Sequence, residues 1–281
     1  MLICIEPEQY EKLALVRDIL VPDDDEIVFG APGVSSRGFT VLAGALKARV
    51  ESDALYVTGL VVDTYFRNRG IATKLLSDFI VYSRDNLLMG EIVFLYPENE
   101  YTEICEHIMS GLGFGQETDG GLCFSSTVGD LRDIAELRAG KGSGYSCIPL
   151  TKLTDRQISL LERKVAESGV SCGIRFPLER ERYLPDSIAC LSGEGKLAGL
   201  IAISGGRSGI NIDWIYMPSR NPAVLSSLIS RAVGSLKKNY PPETGISFTS
   251  LNSTSIKMGE KMLSEYTSHK LKMAVLDVYG H

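Results

Sequence analysis

The sequence predicts an α/β protein of two successive units, each a mixed, mostly antiparallel sheet flanked by helices. The chain has 281 residues, more than the roughly 100 to 200 typical of one domain, so two cores are expected. The same order of apolar patterns, helix, antiparallel strands, helix, strand, helix, strand, is read twice along it. Between the two runs, Arg138 to Gly144 (RAGKGSG) has the glycine and small polar composition of a connector. The expected units are therefore residues 1–140 and 145–281, and an internal duplication with a diverged second copy accounts for the repeated order.

Hydrophobic residues at 44% and charged residues at 23% fit a folded, soluble chain with little extended disorder. Lysine and arginine number 29 against 35 acidic residues, a net charge of -6, so no global field draws the protein to nucleic acid or an anionic membrane. Met1 to Tyr10 lacks the basic start and long apolar core of a signal peptide. No apolar run approaches membrane-spanning length, and a cytoplasmic protein is expected. The six cysteines (Cys4, Cys105, Cys123, Cys147, Cys172, Cys190) lie no closer than 18 residues apart, without the spacing of a zinc site or redox dithiol. They read as small core residues. His107, His269 and His281 form no ligand cluster, so no metal is expected.

In the first unit, Glu8 to Leu20 carries apolar residues at near-helical spacing and is stopped by Pro22 and Asp23 to Asp25. A Gly, Ser and Pro-rich loop (Gly30 to Gly38) leads into Phe39 to Val50, one long strand or two short ones. Ala54 to Val62 (ALYVTGLVV) is apolar on both alternating faces, as a central strand covered on both sides should be. After the polar turn from Asp63 to Arg69, Ile71, Leu75, Leu76, Phe79 and Ile80 form one helical stripe. Glu91 to Tyr96 is a second buried strand, Tyr101 to Ser110 a helix ending at Gly111, and Leu122 to Thr127 a strand able to close this first sheet.

In the second unit, Thr154 and Gln157 form a capping-box pair ahead of Ile158, Leu161 and Val165, with Gly169 as a stop. Strands are expected at Ser187 to Leu191, Leu197 to Ser204 and Ile210 to Met217, then a helix from Ala223 to Lys238. A strand at Ile246 to Ser250, a helix at about Thr254 to Ser264 and a strand at Leu271 to Val278 complete it.

The chemistry concentrates at Arg67-Asn68-Arg69-Gly70-Ile71-Ala72, between a buried strand and an amphipathic helix. There the first helical N–H groups lack intrahelical partners and the helix dipole adds positive charge. Gly70 has no side chain to hold a phosphate away, Ala72 is small, Arg67 and Arg69 offer forked donors, and Thr73 adds a hydroxyl. Such a turn also occurs as plain helix-start surface, so its context matters. It is neither a G-x-G-x-x-G fingerprint nor a G-K-S/T loop.

Leu60 to Ala72 (LVVDTYFRNRGIA) resembles motif A of the GCN5-related N-acetyltransferases, Q/R-x-x-G-x-G/A, with Arg67, Gly70 and Ala72 at its defining positions. Gly111-Leu112-Gly113-Phe114 is similar to the L-G-F that ends the family's next helix. The resemblance implies tandem acyl-CoA N-acyltransferase-like domains, an acetyl-CoA co-substrate held by Arg67, Asn68, Arg69, Gly70, Ile71, Ala72 and Thr73, and direct attack by an amine without a covalent enzyme intermediate. It also implies that the fourth and fifth strands splay at a bulge, so that backbone groups of Leu60, Val61 and Val62 meet the pantetheine and thioester. Gly59 suits that bulge or a plain packing role. Asn99 stands near the asparagine that contacts pantetheine in the family, although Thr102 holds the regular spacing.

The pattern departs from the family at Met109, where a tyrosine often serves as general acid and methionine has no proton to give. Cys105 and Thr102 lie one turn back on the same face. Tyr101 and Glu98 are the candidate acid and base from the cleft mouth, the alternatives being a half-buried aromatic and a solvated carboxylate. His107 points away from the Met109 face. In the second unit the matching junction, Met217-Pro218-Ser219-Arg220-Asn221-Pro222, has no glycine, and its prolines remove N–H donors. That copy is expected not to bind coenzyme A but to shape the acceptor site or stand in for a dimer partner, with Trp214 and Tyr216 as pocket or core residues. The expected activity is acetyl transfer to a primary amine of a small molecule or peptide, by a monomer or homodimer; the alternative is a non-catalytic acyl-CoA or metabolite-binding protein.

Overall fold

A computed structural model describes residues 2–23, 26–51, 54–115, 118–132, 145–167, 183–206, 209–217, 221–250 and 253–280. The chain forms two compact units, 1–120 with 270–281, and 121–269. The connector expected within 138–144, the Gly169 stop and Cys172 lie outside the described residues.

Unit one orders its strands β1 (Ile3–Ile5), β2 (Glu26–Val34), β3 (Thr40–Glu51), β4 (Ala54–Val62), β5 (Glu91–Pro97) and β12 (Thr267–Asp277). Neighbours are antiparallel except β4 and β5, which are parallel. On one face lie α1 (Ile71–Tyr82) and α2 (Thr102–Gly111), over a core that includes Leu46, Leu55, Leu75, Leu76, Phe79, Ile92 and Met109. Leu75, Leu76 and Phe79 are the buried stripe of α1. Each contributes about 2 kcal/mol of burial. The other face is covered by the N-terminal turns through Tyr10, Val16 and Leu20.

Those turns differ from the single helix expected over Glu8 to Leu20. Pro7–Lys12 is a 3-10 turn and Leu15–Leu20 a π turn, with Leu13 extended between them. In one continuous helix Tyr10 and Val16 would stand about 120° apart; the break at Leu13 lets both reach the same sheet face. The loop expected from Gly30 is likewise strand as far as Val34. Its glycines are there for space: a Cβ on Gly33 would lie 2.7 Å from both Ala43 Cβ and the Phe66 ring. Thr40–Glu51 is one strand.

Unit two orders β6 (Thr118–Thr127), β11 (Gly245–Ser250), β10 (Gly209–Tyr216), β9 (Leu197–Gly206), β8 (Ile188–Ser192) and β7 (Tyr145–Pro149). Its helices are α3 (Asp155–Glu167), α4 (Pro222–Asn239) and α5 (Ser253–Met262). The capping box forms: Thr154 N–H donates to Gln157 Oε1 at 2.9 Å and Gln157 N–H to Thr154 Oγ1 at 3.3 Å. The strand at Leu122 to Thr127 does not close the first sheet. It pairs with β11, while β5 is completed by β12 from the far end of the chain. Both strands are short amphipathic segments, and nothing local distinguishes their partners.

The two units share strand detail. Thr58 is an extra residue on β4 opposite β3, and Asp213 an extra residue on β10 opposite β9. The parallel pairing stops just before each bulge, at Val57 and at Asn211. No helix among the described residues is long and apolar enough to cross a membrane, and they contain no group of three or more potential metal ligands.

Candidate functional site

The site grows from the end of β4. Asp63 donates its N–H to the Ala43 carbonyl at 2.9 Å and accepts the Tyr65 N–H at 2.8 Å. Phe66 is buried, and the chain then turns outward through Arg67. Asn68 (φ 59°) and Gly70 (φ 72°) are left-handed, a conformation that Asn tolerates and Gly adopts freely. The first α1 bond runs from Lys74 N–H to Gly70 O at 2.9 Å, so the N–H groups of Ile71, Ala72 and Thr73 precede the helical ladder, and no side chain caps them. A Cβ on Gly70 would meet nothing within 4 Å, and residues 67–70 are exposed. The turn is open.

Two guanidinium groups flank it. Arg67 Nε donates to the Val62 carbonyl at 3.3 Å, and its Nη1 lies 3.5 Å from the Tyr101 hydroxyl, with the group 5.7 Å above the Tyr101 ring. Arg69 stacks on Tyr65 at 4.9 Å and Phe66 at 5.6 Å. Among the described residues neither is ion-paired, so aromatic faces position both while their charge stays available. The helix start is held close to the sheet by Gly44, whose Cβ would stand 3.0 Å from Ile71 Cγ2 and from the Val61 carbonyl.

Beside the turn the sheet opens. β4 and β5 pair only from Ala54↔Glu91 to Val57↔Phe94; past the Thr58 bulge, β5 stays paired with β12 instead. In an antiparallel ladder successive residues face alternate neighbours. The Asp63 to Ala43 bond sets the phase, so Val61 directs its N–H and C=O to β3, whereas Leu60 and Val62 direct theirs into the opening. The result is a positively charged helix start at the mouth of a V between two parallel strands, with the Leu60 backbone groups and the Val62 N–H directed along one arm and the Val62 carbonyl taken by Arg67 Nε.

No protein-family model and no curated protein matches the sequence. Solved structures do resemble the fold. A tandem GNAT protein from the clavulanic acid biosynthesis pathway, solved without acetyl-CoA, matches 100% of this chain and 99% of its own at a TM-score of 0.65 and 12% identity. A GCN5-related glucosamine N-acetyltransferase region of a fungal multi-domain GH3 β-N-acetylglucosaminidase matches 98% of this chain and 38% of its own (TM-score 0.67, 10% identity). A GCN5-related N-acetyltransferase from Sphaerobacter thermophilus matches 94% and 84% (TM-score 0.56, 11% identity). The chain has the GNAT fold, in tandem.

In this GNAT fold the remaining candidates distribute as follows. Glu98 is exposed at the end of β5, donates its N–H to the Lys270 carbonyl at 2.7 Å, and has Lys270 Nζ 3.9 Å from its carboxylate. Asn99 and Thr102 bond across the turn that leads into α2: Asn99 Oδ1 accepts the Tyr101 N–H and Thr102 Oγ1 the Asn99 N–H, each at 2.8 Å. Asn99 Oδ1 is thus already engaged. Tyr101, exposed, is brought to Arg67 rather than to the Leu60 and Val62 backbone. Met109 is 2% exposed in the core, His107 is exposed, and Phe114 is buried after left-handed Gly113 closes α2.

One residue that sequence reasoning passed over supports the opening from beneath. Glu26 is buried on β2, where its carboxylate accepts from the Thr58 hydroxyl, from Lys47 Nζ at 2.9 Å and from the Asp23 N–H at 2.9 Å. Burial pushes its pKa up, but the Thr58 and Asp23 hydrogen bonds and the Lys47 charge together bring it below the usual value. Glu26 therefore anchors the bulged residue that parts β4 from β5. Only its place in the β2 alternation hinted at this.

In unit two, Asn221 accepts the Ala223 N–H at 3.0 Å and Pro222 follows it, so the start of α4 is closed where that of α1 is open. Tyr216 lines a cavity of about 560 Å³ with Thr154, Gln157, Leu160 and Lys196. The Trp214 side chain lies outside the described residues.

Proposed function

We propose that this protein is an N-acetyltransferase that takes acetyl-CoA as co-substrate and acetylates a primary amine of a small molecule or peptide. The observation that carries the reading is the uncapped, glycine-opened start of α1, with Arg67 and Arg69 beside it, leading into the opening between β4 and β5. The residues fit the ligand. The N–H groups at the start of α1 and the two guanidiniums offer a diphosphate convergent donors and charge. The Leu60 N–H and carbonyl and the Val62 N–H offer strand-like pairing to the amides of a pantetheine arm. One of their N–H groups is suited to stabilise negative charge developing on the thioester oxygen as the amine nitrogen attacks the carbonyl carbon. The thiolate leaves, and the amine loses its proton to solvent or to a base.

Glu98 and Tyr101 remain the candidate base and acid at the cleft mouth. The place of Tyr101 beside Arg67 favours a role at the diphosphate end over proton delivery to the thiolate. Cytoplasmic location and a monomer or homodimer, with no metal, nucleic acid or membrane partner, belong to the same reading.

Met109 favours a second reading. The position where the family often carries an acid is here a methionine buried in the core, as in a binding protein that has lost its chemistry. Calorimetry with coenzyme A tests both readings, with binding expected, and absence of heat removes them together. Thiol release from acetyl-CoA across a panel of amines then decides between them: release with at least one amine supports the enzyme, and binding without release supports the non-catalytic protein.

A further inference from the structure

The cysteines, too widely spaced to suggest a dithiol, include two that the fold brings face to face. Cys147 on β7 and Cys190 on β8 are register partners. The Leu150 N–H donates to the Ser187 carbonyl at 2.8 Å, which makes 150 and 187 a hydrogen-bonded pair. Stepping along the alternation makes Cys147 and Cys190 a non-hydrogen-bonded pair; Pro149, which has no N–H, takes another such position opposite Ile188. In pairs of this kind the Cα atoms approach to about 4.5 Å, within the range a disulfide spans.

The two thiols differ in access. β7 is last in the strand order of its unit, and Cys147 is half-buried there, whereas Cys190 is fully buried in the core under α4. They are hydrogen-bonded to each other, and Arg231 on α4 adds positive charge near Cys147. The Cys190 hydrogen bond lowers the Cys147 pKa to about 7 against the opposing effect of burial, with Arg231 assisting, while Cys190 is pushed up by that same bond and by burial. Cys4 is the contrasting case, an exposed thiol raised by partial burial and by Glu6.

We propose that Cys147 and Cys190 form a reactive dithiol whose substrates are low-molecular-weight disulfides, with Cys147 the attacking and Cys190 the resolving thiol. The Cys147 thiolate attacks one sulfur of the disulfide, forming a mixed disulfide and expelling one thiolate. Cys190, giving its proton to that thiolate, then attacks Cys147 Sγ, closing the 147–190 bond and expelling the second thiolate, which takes its proton from solvent. The two protein thiols are oxidised, and the small disulfide is reduced by the same two electrons. Acetyl transfer is not involved.

The test uses the full chain and oxidised glutathione at neutral pH, read by intact mass and peptide mapping. The wild type is expected to yield a 147–190 linked peptide without retained glutathione at either position. Cys190→Ser, whose hydroxyl keeps a hydrogen-bond donor beside Cys147, is expected to hold glutathione at Cys147, acquired at least about five-fold faster than at Cys4, once a larger thiolate fraction is offset by lower intrinsic nucleophilicity. Absence of the 147–190 peptide in the wild type, a measurement that needs no variant to fold, overturns the proposal. So does a Cys147 that reacts no faster than Cys4.

Discussion

Gly70 joins two demands in one residue: a left-handed backbone and open space above it. Gly70→Ala meets only the first obstacle, because a Cβ there touches nothing, and it is expected to cost about 1 kcal/mol of stability. Gly70→Glu adds a carboxylate to the turn proposed to receive the diphosphate and is expected to abolish coenzyme A binding by calorimetry. Unchanged affinity in the Glu variant would falsify the diphosphate assignment. Glu26 makes a different argument. Its side chain is 3% exposed and that of Lys47 15%, so Glu26→Ala strands an ammonium with little water around it. The expected loss is about 3 kcal/mol in urea unfolding. Since the folded pKa of Glu26 is below its usual 4.5, its contribution is complete above that pH and is lost as the pH falls through the lower folded value. Glu26→Gln should flatten that acid limb of the stability curve, and an unchanged limb would remove Glu26 as its source.

At the scale of elements, the two equivalent helices show how much a short turn decides. The start of α1 was legible because glycine, arginines and the onset of the apolar stripe are contiguous, so strand, turn and helix could be placed from neighbours alone. The start of α4 was legible in part: the prolines announce a helix start with donors removed, whereas the Asn221 cap appears only in the structure. Asn221→Ala is expected to lower stability by about 1 kcal/mol while leaving coenzyme A affinity unchanged, by thermal unfolding and calorimetry on the same sample. A fall in affinity would mean that the α4 junction also takes the ligand. Other elements were less readable. The extended Leu13 follows from a sheet face that must accept both Tyr10 and Val16, and the strand at Gly30 to Val34 from the space its neighbours leave. The bulge was anticipated at Gly59 and lies at Thr58 beside it, where a Cβ on Gly59 would still come within 2.8 Å of Leu20.

At the scale of the whole molecule, each unit takes a strand from outside its own stretch of sequence: β12 completes β5, and β6 joins β11. A cut at the expected connector therefore removes something structural. Residues 1–140 expressed alone lack β12, leaving the β5 edge from Glu91 to Pro97 unpaired and the core without Ala274. That fragment is expected to aggregate or to unfold without a cooperative transition, by gel filtration and circular dichroism. A monomeric fragment melting cooperatively would show that β12 is dispensable.

Sequence by itself determined what near neighbours decide: the helix stripe after Gly70, the capping box at Thr154, the central strands and the open turn from Arg67 to Gly70. All of these depend on periodicity or on backbone chemistry within a few residues. Tertiary structure alone decided the exchange of β6 and β12, the anchoring of Thr58 by Glu26 from 32 residues away, and the meeting of Cys147 with Cys190. Each joins segments distant in the chain, and strand pairing selects among partners whose local patterns are equivalent.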